Sequence, residues 1–135
     1  MQTMKRAVFF FLSAALFALC ARAEVLPSKV YVVANSDDPD SLAIADFYAS
    51  ARGIPKGNIV GLPMPKAGKI SKAEYFEKIE NPLVAELAKR GALKAVKLGG
   101  REPSGREIYS YVSHDIGFLV LCRGVPWGVN PSPNS

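Results

Sequence analysis

The run Val30–Ala34, followed by a turn at Asn35–Asp40 and a helical pattern closed by Gly53, constrains the fold more than any other stretch. Val-Tyr-Val-Val-Ala is apolar at every position, the pattern of a strand covered on both faces. The turn is dense in turn formers. Pro39 suits the first helical position, where its missing N–H costs nothing, and Asp38 is then the N-cap. Asp38 and Asp40 also complement the positive end of the helix dipole. Ile44, Phe47, Tyr48 and Ala51 recur at i, i+3, i+4 and i+7, which predicts them as the face packed on the sheet. Gly53 supplies the left-handed position at the helix end, and Pro55 blocks continuation.

Asn58–Leu62 reads as a short second strand, ended by Pro63 and Pro65. Ser71-Lys72-Ala73-Glu74 matches a capping box, with Ile70 and Tyr75 placed as a hydrophobic staple. Tyr75, Phe76 and Ile79 are expected to face inward. Asn81-Pro82 interrupts this helix and restarts it, with Asn81 as cap, and Gly91 ends it. Ala92–Gly100 fits a short helix or an edge strand, Arg101–Gly105 a polar loop, and Glu107–Ser113 a helix or a strand. Ile116–Cys122 is a continuous apolar strand, expected to be central.

Strand, helix, strand, helix, an ambiguous segment and a strand make an α/β chain. Right-handed crossovers predict a three-layer open, mainly parallel sheet of Rossmann-like or flavodoxin-like type. A central last strand needs a following helix to cover it, and the sequence supplies none. The expected fold is therefore incomplete at its carboxyl end, residues 24–135 being the amino-terminal portion of a larger domain.

A leader precedes this unit. Lys5 and Arg6 are followed by the apolar run Ala7–Leu19, and Ala21-Arg22-Ala23 places small residues where a signal peptidase cuts. The run is too short for a comfortable membrane span. Leu19 disfavours lipidation of Cys20. The chain is thus expected to be exported, periplasmic or extracellular, after cleavage near Ala23, with membrane contact through the signal peptide alone. Of 135 residues 112 then remain, and Lys5, Arg6 and Arg22 leave with the leader. Of 17 basic residues 14 face 12 acidic ones, so the net charge falls from +5 to +2. So balanced a surface predicts no nucleic-acid partner. Cys122 is left without a disulfide partner.

Ligands of open parallel sheets bind beyond the carboxyl ends of the strands. Those ends carry Asn35, Ser36, Asp37 and Asp38 after the first strand and Arg123 after the third. If these strands are neighbours, Asn35, Ser36, Asp37, Asp38 and Arg123 form a candidate binding set for a polar ligand or, through oxygen donors, a divalent cation. Turn chemistry is the other reading: Asp38 caps, Asp40 meets the dipole, and Arg123 neutralises both. Glycine-rich phosphate loops are absent, so no nucleotide cofactor is implied. One histidine and one remaining cysteine cannot build a zinc site. His114 and Cys122 are the one pair that would suit a cysteine hydrolase, but Cys122 ends an apolar run. Trp127, Tyr109 and Tyr111 could offer a stacking surface or lie in core and rim.

Asn35-x-x-Asp38-Pro39-x-Ser41, Ala45-Asp46-x-Tyr48-x-x-x-Arg52-Gly53-Ile54-Pro55-x-x-Asn58-Ile59, Ile70-Ser71 and Leu121-Cys122-Arg123-Gly124-Val125-Pro126 together resemble an exported bacterial protein family of unknown function. The resemblance spans residues 24–135. It implies a longer protein that continues past the Gly-Val-Pro element, and it supplies no catalytic residues. The succession of strands and helices is also loosely similar to caspase and gingipain domains, a likeness of fold alone. Two functional expectations follow: an exported α/β domain with a polar-ligand site at its strand ends, or the leading part of a peptidase-like hydrolase.

Overall fold

A computed structural model describes residues 25–131; the expected leader, with Cys20 and the expected cleavage near Ala23, lies outside the described residues, as do residues 132–135. The architecture is mixed α/β. Strand β1 (Val30–Asn35) is the middle of a three-stranded parallel sheet, between β2 (Ile59–Leu62) and β6 (Phe118–Leu121). Val33 stands opposite Val60 on one side and Leu121 on the other.

Every residue of β1 is buried. Tyr31 and Val33 join Val60, Leu62, Met64, Ile70, Ile79 and Leu87 in one apolar cluster. Val30, Val32 and Ala34 join Ala45, Ala49, Ile54 and Cys122 in the other. The two-residue period of the strand divides its side chains between these clusters. Burying each valine contributes about 1.5–3 kcal/mol.

Helix α1 (Pro39–Arg52) begins and ends as its sequence predicts. The Asp38 carboxylate accepts the Asp40 N–H at 3.1 Å, and Pro39 opens the first turn. Gly53 closes the helix at φ 65°, with Ile54 N–H donating to the Ala49 carbonyl at 2.9 Å. Its packed face is not the expected one. Ser41, Ala45 and Ala49 are buried, whereas Phe47 is 76% exposed and Ile44 lies on the surface. Small side chains at i, i+4 and i+8 bring the helix close to β1; Leu42, Ile44 and Phe47 are turned outward, while Tyr48 packs partly against the cluster as expected.

The second helical stretch is capped by Ser71 and Glu74 in a capping box with both reciprocal bonds formed. It runs as α2 (Lys72–Tyr75), one π turn at Phe76–Glu80, and α3 (Asn81–Lys89). Phe76 and Ile79 are buried as expected. Asn81 does not cap a restarted helix. It keeps helical dihedrals, and the π turn carries the chain past Pro82 without a break. Its side chain ties a hairpin instead, donating to the Gly105 carbonyl and accepting the Glu107 N–H, each at 3.0 Å.

That hairpin resolves the ambiguous segments. β4 (Leu93–Arg101) and β5 (Glu107–His114) pair antiparallel, apart from the parallel sheet, around the polar loop. Two short strands, β3 (Lys69–Ile70) and β7 (Gly128–Val129), form a small parallel pair of their own.

β6 departs from expectation. It is not central: among the described residues it pairs with β1 alone and forms an edge of the sheet. Phe118, Leu119 and Leu121 are 45–59% exposed. A groove of about 430 Å³ runs beside it on the α1 side, lined by Tyr48, Ile54, Phe118 and Val120. Another of about 450 Å³ runs on the α3 side, lined by Ile79, Leu83, Leu87 and Leu119. Apolar sequence over this strand foretells cover that the described residues do not provide.

Candidate functional site

The carboxyl ends of β1 and β6 are brought together by one side chain. Asn35 is fully buried. Its amide nitrogen donates to the Met64 carbonyl at 3.0 Å and to the Gly124 carbonyl at 2.9 Å. Its carbonyl oxygen accepts the N–H groups of Asp37 at 3.0 Å and Met64 at 3.1 Å. All four bonding positions of the amide are thereby used. The backbone N–H of Asn35 donates to the buried Ser41 hydroxyl at 3.0 Å. One residue thus joins the loops that follow β1, β2 and β6.

Asn35 therefore has no group left for a ligand; it positions the others. Ser36 and Asp37 are exposed on the turn, and the Asp37 backbone is fixed by the Asn35 carbonyl. Asp38 is half-buried with Oδ1 committed to the α1 cap. Its Oδ2 sits over Gly124, 2.7 Å from where a Cβ there would fall, so only glycine fits this approach. Arg123 is brought to the acidic turn as the strand order requires, but loosely. Its guanidinium lies 4.0 Å from the Asp40 carboxylate, both side chains 76% exposed. So exposed a pair contributes little to stability and leaves Arg123 free to engage another group.

Asp38 and Arg123 line a cleft of about 240 Å³ together with Lys66, Gly68, Gly124 and Trp127. Lys66 and Gly68 escaped sequence reasoning because their loop carries no motif. Trp127 was legible as a possible stacking residue, and it is 75% exposed. Its backbone N–H donates to the Gly68 carbonyl at 3.0 Å, and Gly128 N–H donates to the same oxygen at 3.2 Å. The indole edge lies 2.6 Å from the position of an added Gly68 Cβ, which any larger residue would displace. The Lys69 ammonium stands 5.1 Å from the indole centroid. The two grooves beside β6 are larger but apolar; cations, a carboxylate and an aromatic face converge in this smaller cleft.

His114 and Cys122 are not brought together. Cys122 packs in the cluster on the α1 side, where burial pushes its thiol pKa up. His114 lines the groove on the α3 side, its Nδ1 3.1 Å from the Ile116 carbonyl. Such a thiol is a poor nucleophile, and the ring that would activate it faces another groove. Among the described residues no three histidine, cysteine or acidic side chains cluster to hold a metal ion. No helix among them is long and apolar enough to cross a membrane.

A second polar cluster lies on the hairpin. The Glu107 carboxylate takes Lys97 at 2.7 Å, Arg101 at 3.1 Å and the Tyr109 hydroxyl at 2.7 Å. The Lys97 bond, followed by that from Tyr109, holds the Glu107 pKa down at about 2. Desolvation, then the bond to Glu107, pushes Tyr109 up to about 12. Each charge here is already met by a neighbour, and the cluster reads as a clasp across β4 and β5.

Comparison with protein-family models, with curated proteins and with solved structures finds no match to this chain.

Proposed function

We propose that this chain is an exported α/β domain that binds a polar ligand in the cleft at the carboxyl ends of β1 and β6. The observation that carries the reading is the Asn35 clasp. A fully buried amide fixes three loops in place, and the groups left over around it are Asp38, Lys66, Arg123 and Trp127. Rigid support beneath exposed polar groups is what a recognition site requires. The cleft also lies where open parallel sheets take their ligands. A three-layer arrangement of flavodoxin-like type is supported by α1 lying against one apolar cluster and α3 against the other. Export rests on the leader pattern of Met1–Ala23, and membership of the exported family on the motifs quoted above.

The test is ligand-observed NMR of the full-length chain against small carboxylates, amino acids and sugars, repeated with Asp38→Asn and Arg123→Ala. Asn at position 38 keeps the helix cap while removing the charge. The reading expects hits that weaken at least about fivefold in both variants while the melting temperature moves by less than about 2 °C. Hits indifferent to both substitutions would refute it.

A second reading, the leading part of a peptidase-like hydrolase, is favoured by one observation. β6 exposes apolar side chains on both faces, with a groove beside each, the surface that a further strand and helices would cover. In that case the catalytic residues belong to those elements, and the cleft contributes binding. Strand–helix patterning in the coding sequence downstream of Ser135 supports it, and the lack of such patterning in every frame counts against it.

A further inference from the structure

We infer that the ligand of this cleft is a carboxylate-bearing pyranose, a uronic acid residue of a glycan; this rests on the polar-site reading above. Three features select the class. The indole of Trp127 is three-quarters exposed, yet its backbone N–H is held by the Gly68 carbonyl, its edge lies against Gly68, and the Lys69 ammonium stands over one face of the ring. A large aromatic surface held rigid in water loses little entropy when a flat partner settles on it, and the C–H face of a pyranose is such a partner. Lys66 and Arg123 supply two cations at the cleft wall, and neither is drawn into a close ion pair among the described residues. A carboxylate suits them, Arg123 being able to take it through two N–H groups.

The third feature separates a sugar from an aromatic acid. Asp38 Oδ1 is spent on the helix cap, and Oδ2 takes no hydrogen bond from the described residues. A ring hydroxyl donates to that oxygen. An aromatic acid has no donor for it, and its approach would desolvate the Asp38 carboxylate without replacing the lost water. Phosphate, with roughly twice the charge, suffers more from Asp37, Asp38 and Asp40 on the adjoining turn than a single carboxylate does.

Trp127 is the one tryptophan in the sequence, so its emission reports on this cleft alone. Titration of the full-length chain with methyl glucuronide, methyl glucoside, benzoate and acetate is followed by Trp127 fluorescence and checked by calorimetry. The inference expects saturable binding of the glucuronide, at least about tenfold tighter than that of the other three. Arg123→Ala and Lys66→Ala should each weaken it at least about fivefold, as should Asp38→Asn. Equal affinity for the glucoside would overturn the role of the carboxylate. Benzoate or acetate binding as tightly as the glucuronide, with the same dependence on Arg123, would overturn the sugar while leaving the polar site intact. Failure of every probe to bind, by either readout, would overturn the site along with its ligand.

Discussion

β1 and β6 are alike as sequences and opposite as structures. Both are apolar at nearly every position, and both lie parallel and adjacent in one sheet. β1 is buried throughout, flanked by a strand on each edge, while β6 has one partner among the described residues and exposes Phe118, Leu119 and Leu121. An apolar run therefore records the burial that a strand requires, not the burial that a given set of neighbours provides. The difference also locates the chemistry. Where both strands end, a fully bonded asparagine of β1 supports a polar cleft; along the flanks of β6 lie apolar grooves.

The strongest way to break this contrast is to cut the clasp. Asn35→Ala leaves the Met64 N–H and two carbonyls without their buried partner, and should cost about 3 kcal/mol in chemical denaturation. A cost under about 1 kcal/mol would mean that the loops after β1, β2 and β6 hold one another without it. Next in size is the helix that covers β1. Gly53→Ala forces an L side chain into φ 65° and should lose about 1 kcal/mol by the same measurement.

Acid sharpens the contrast locally, at the hairpin that leads into β6. Because the Glu107 pKa is held down at about 2, its ionised form stabilises the hairpin above the ordinary carboxylate pKa, near 4.5. That contribution is lost as pH falls from about 4.5 toward 2. Amide exchange in β4 and β5 should quicken over that window, and Glu107→Gln should remove the pH dependence. The same acid transition in the variant would assign it to another group. The smallest effect belongs to the open strand. Leu121→Ser at a 59% exposed site should change stability by no more than about 0.5 kcal/mol.

Local signals were legible where one residue type has one physical use. Asp38 caps α1, Pro39 starts it, Gly53 ends it, and Ser71 with Glu74 closes a capping box. The rule that ligands gather at strand ends picked out Asp38 and Arg123. That β1 and β6 are neighbours, which sets Arg123 beside the acidic turn, was only a condition of that reading and is given by the structure. What stayed illegible depends on long-range contact. Helical periodicity in α1 picked Ile44, Phe47, Tyr48 and Ala51, of which Tyr48 packs in part, whereas close packing chose the small side chains at 41, 45 and 49. Its place at a strand end made Asn35 a candidate ligand residue, yet its side chain is spent on partners 29 and 89 positions away. Asn81, followed by Pro82, looked like a cap and clasps the hairpin instead. Lys66 enters the cleft because Asn35 anchors Met64 two residues earlier, which no local pattern announces.

Residue-resolved amide exchange of the full-length chain tests the closed and open strands most directly. Cys122 N–H donates to the Val33 carbonyl at 2.9 Å, and consecutive strand amides point to opposite edges, so Leu121 N–H faces away from β1. The account predicts that Val32, Val33 and Cys122 exchange slowly while Leu121 exchanges orders of magnitude faster. Leu121 protected as strongly as Val33 would contradict it, since the outer edge of β6 would then be covered.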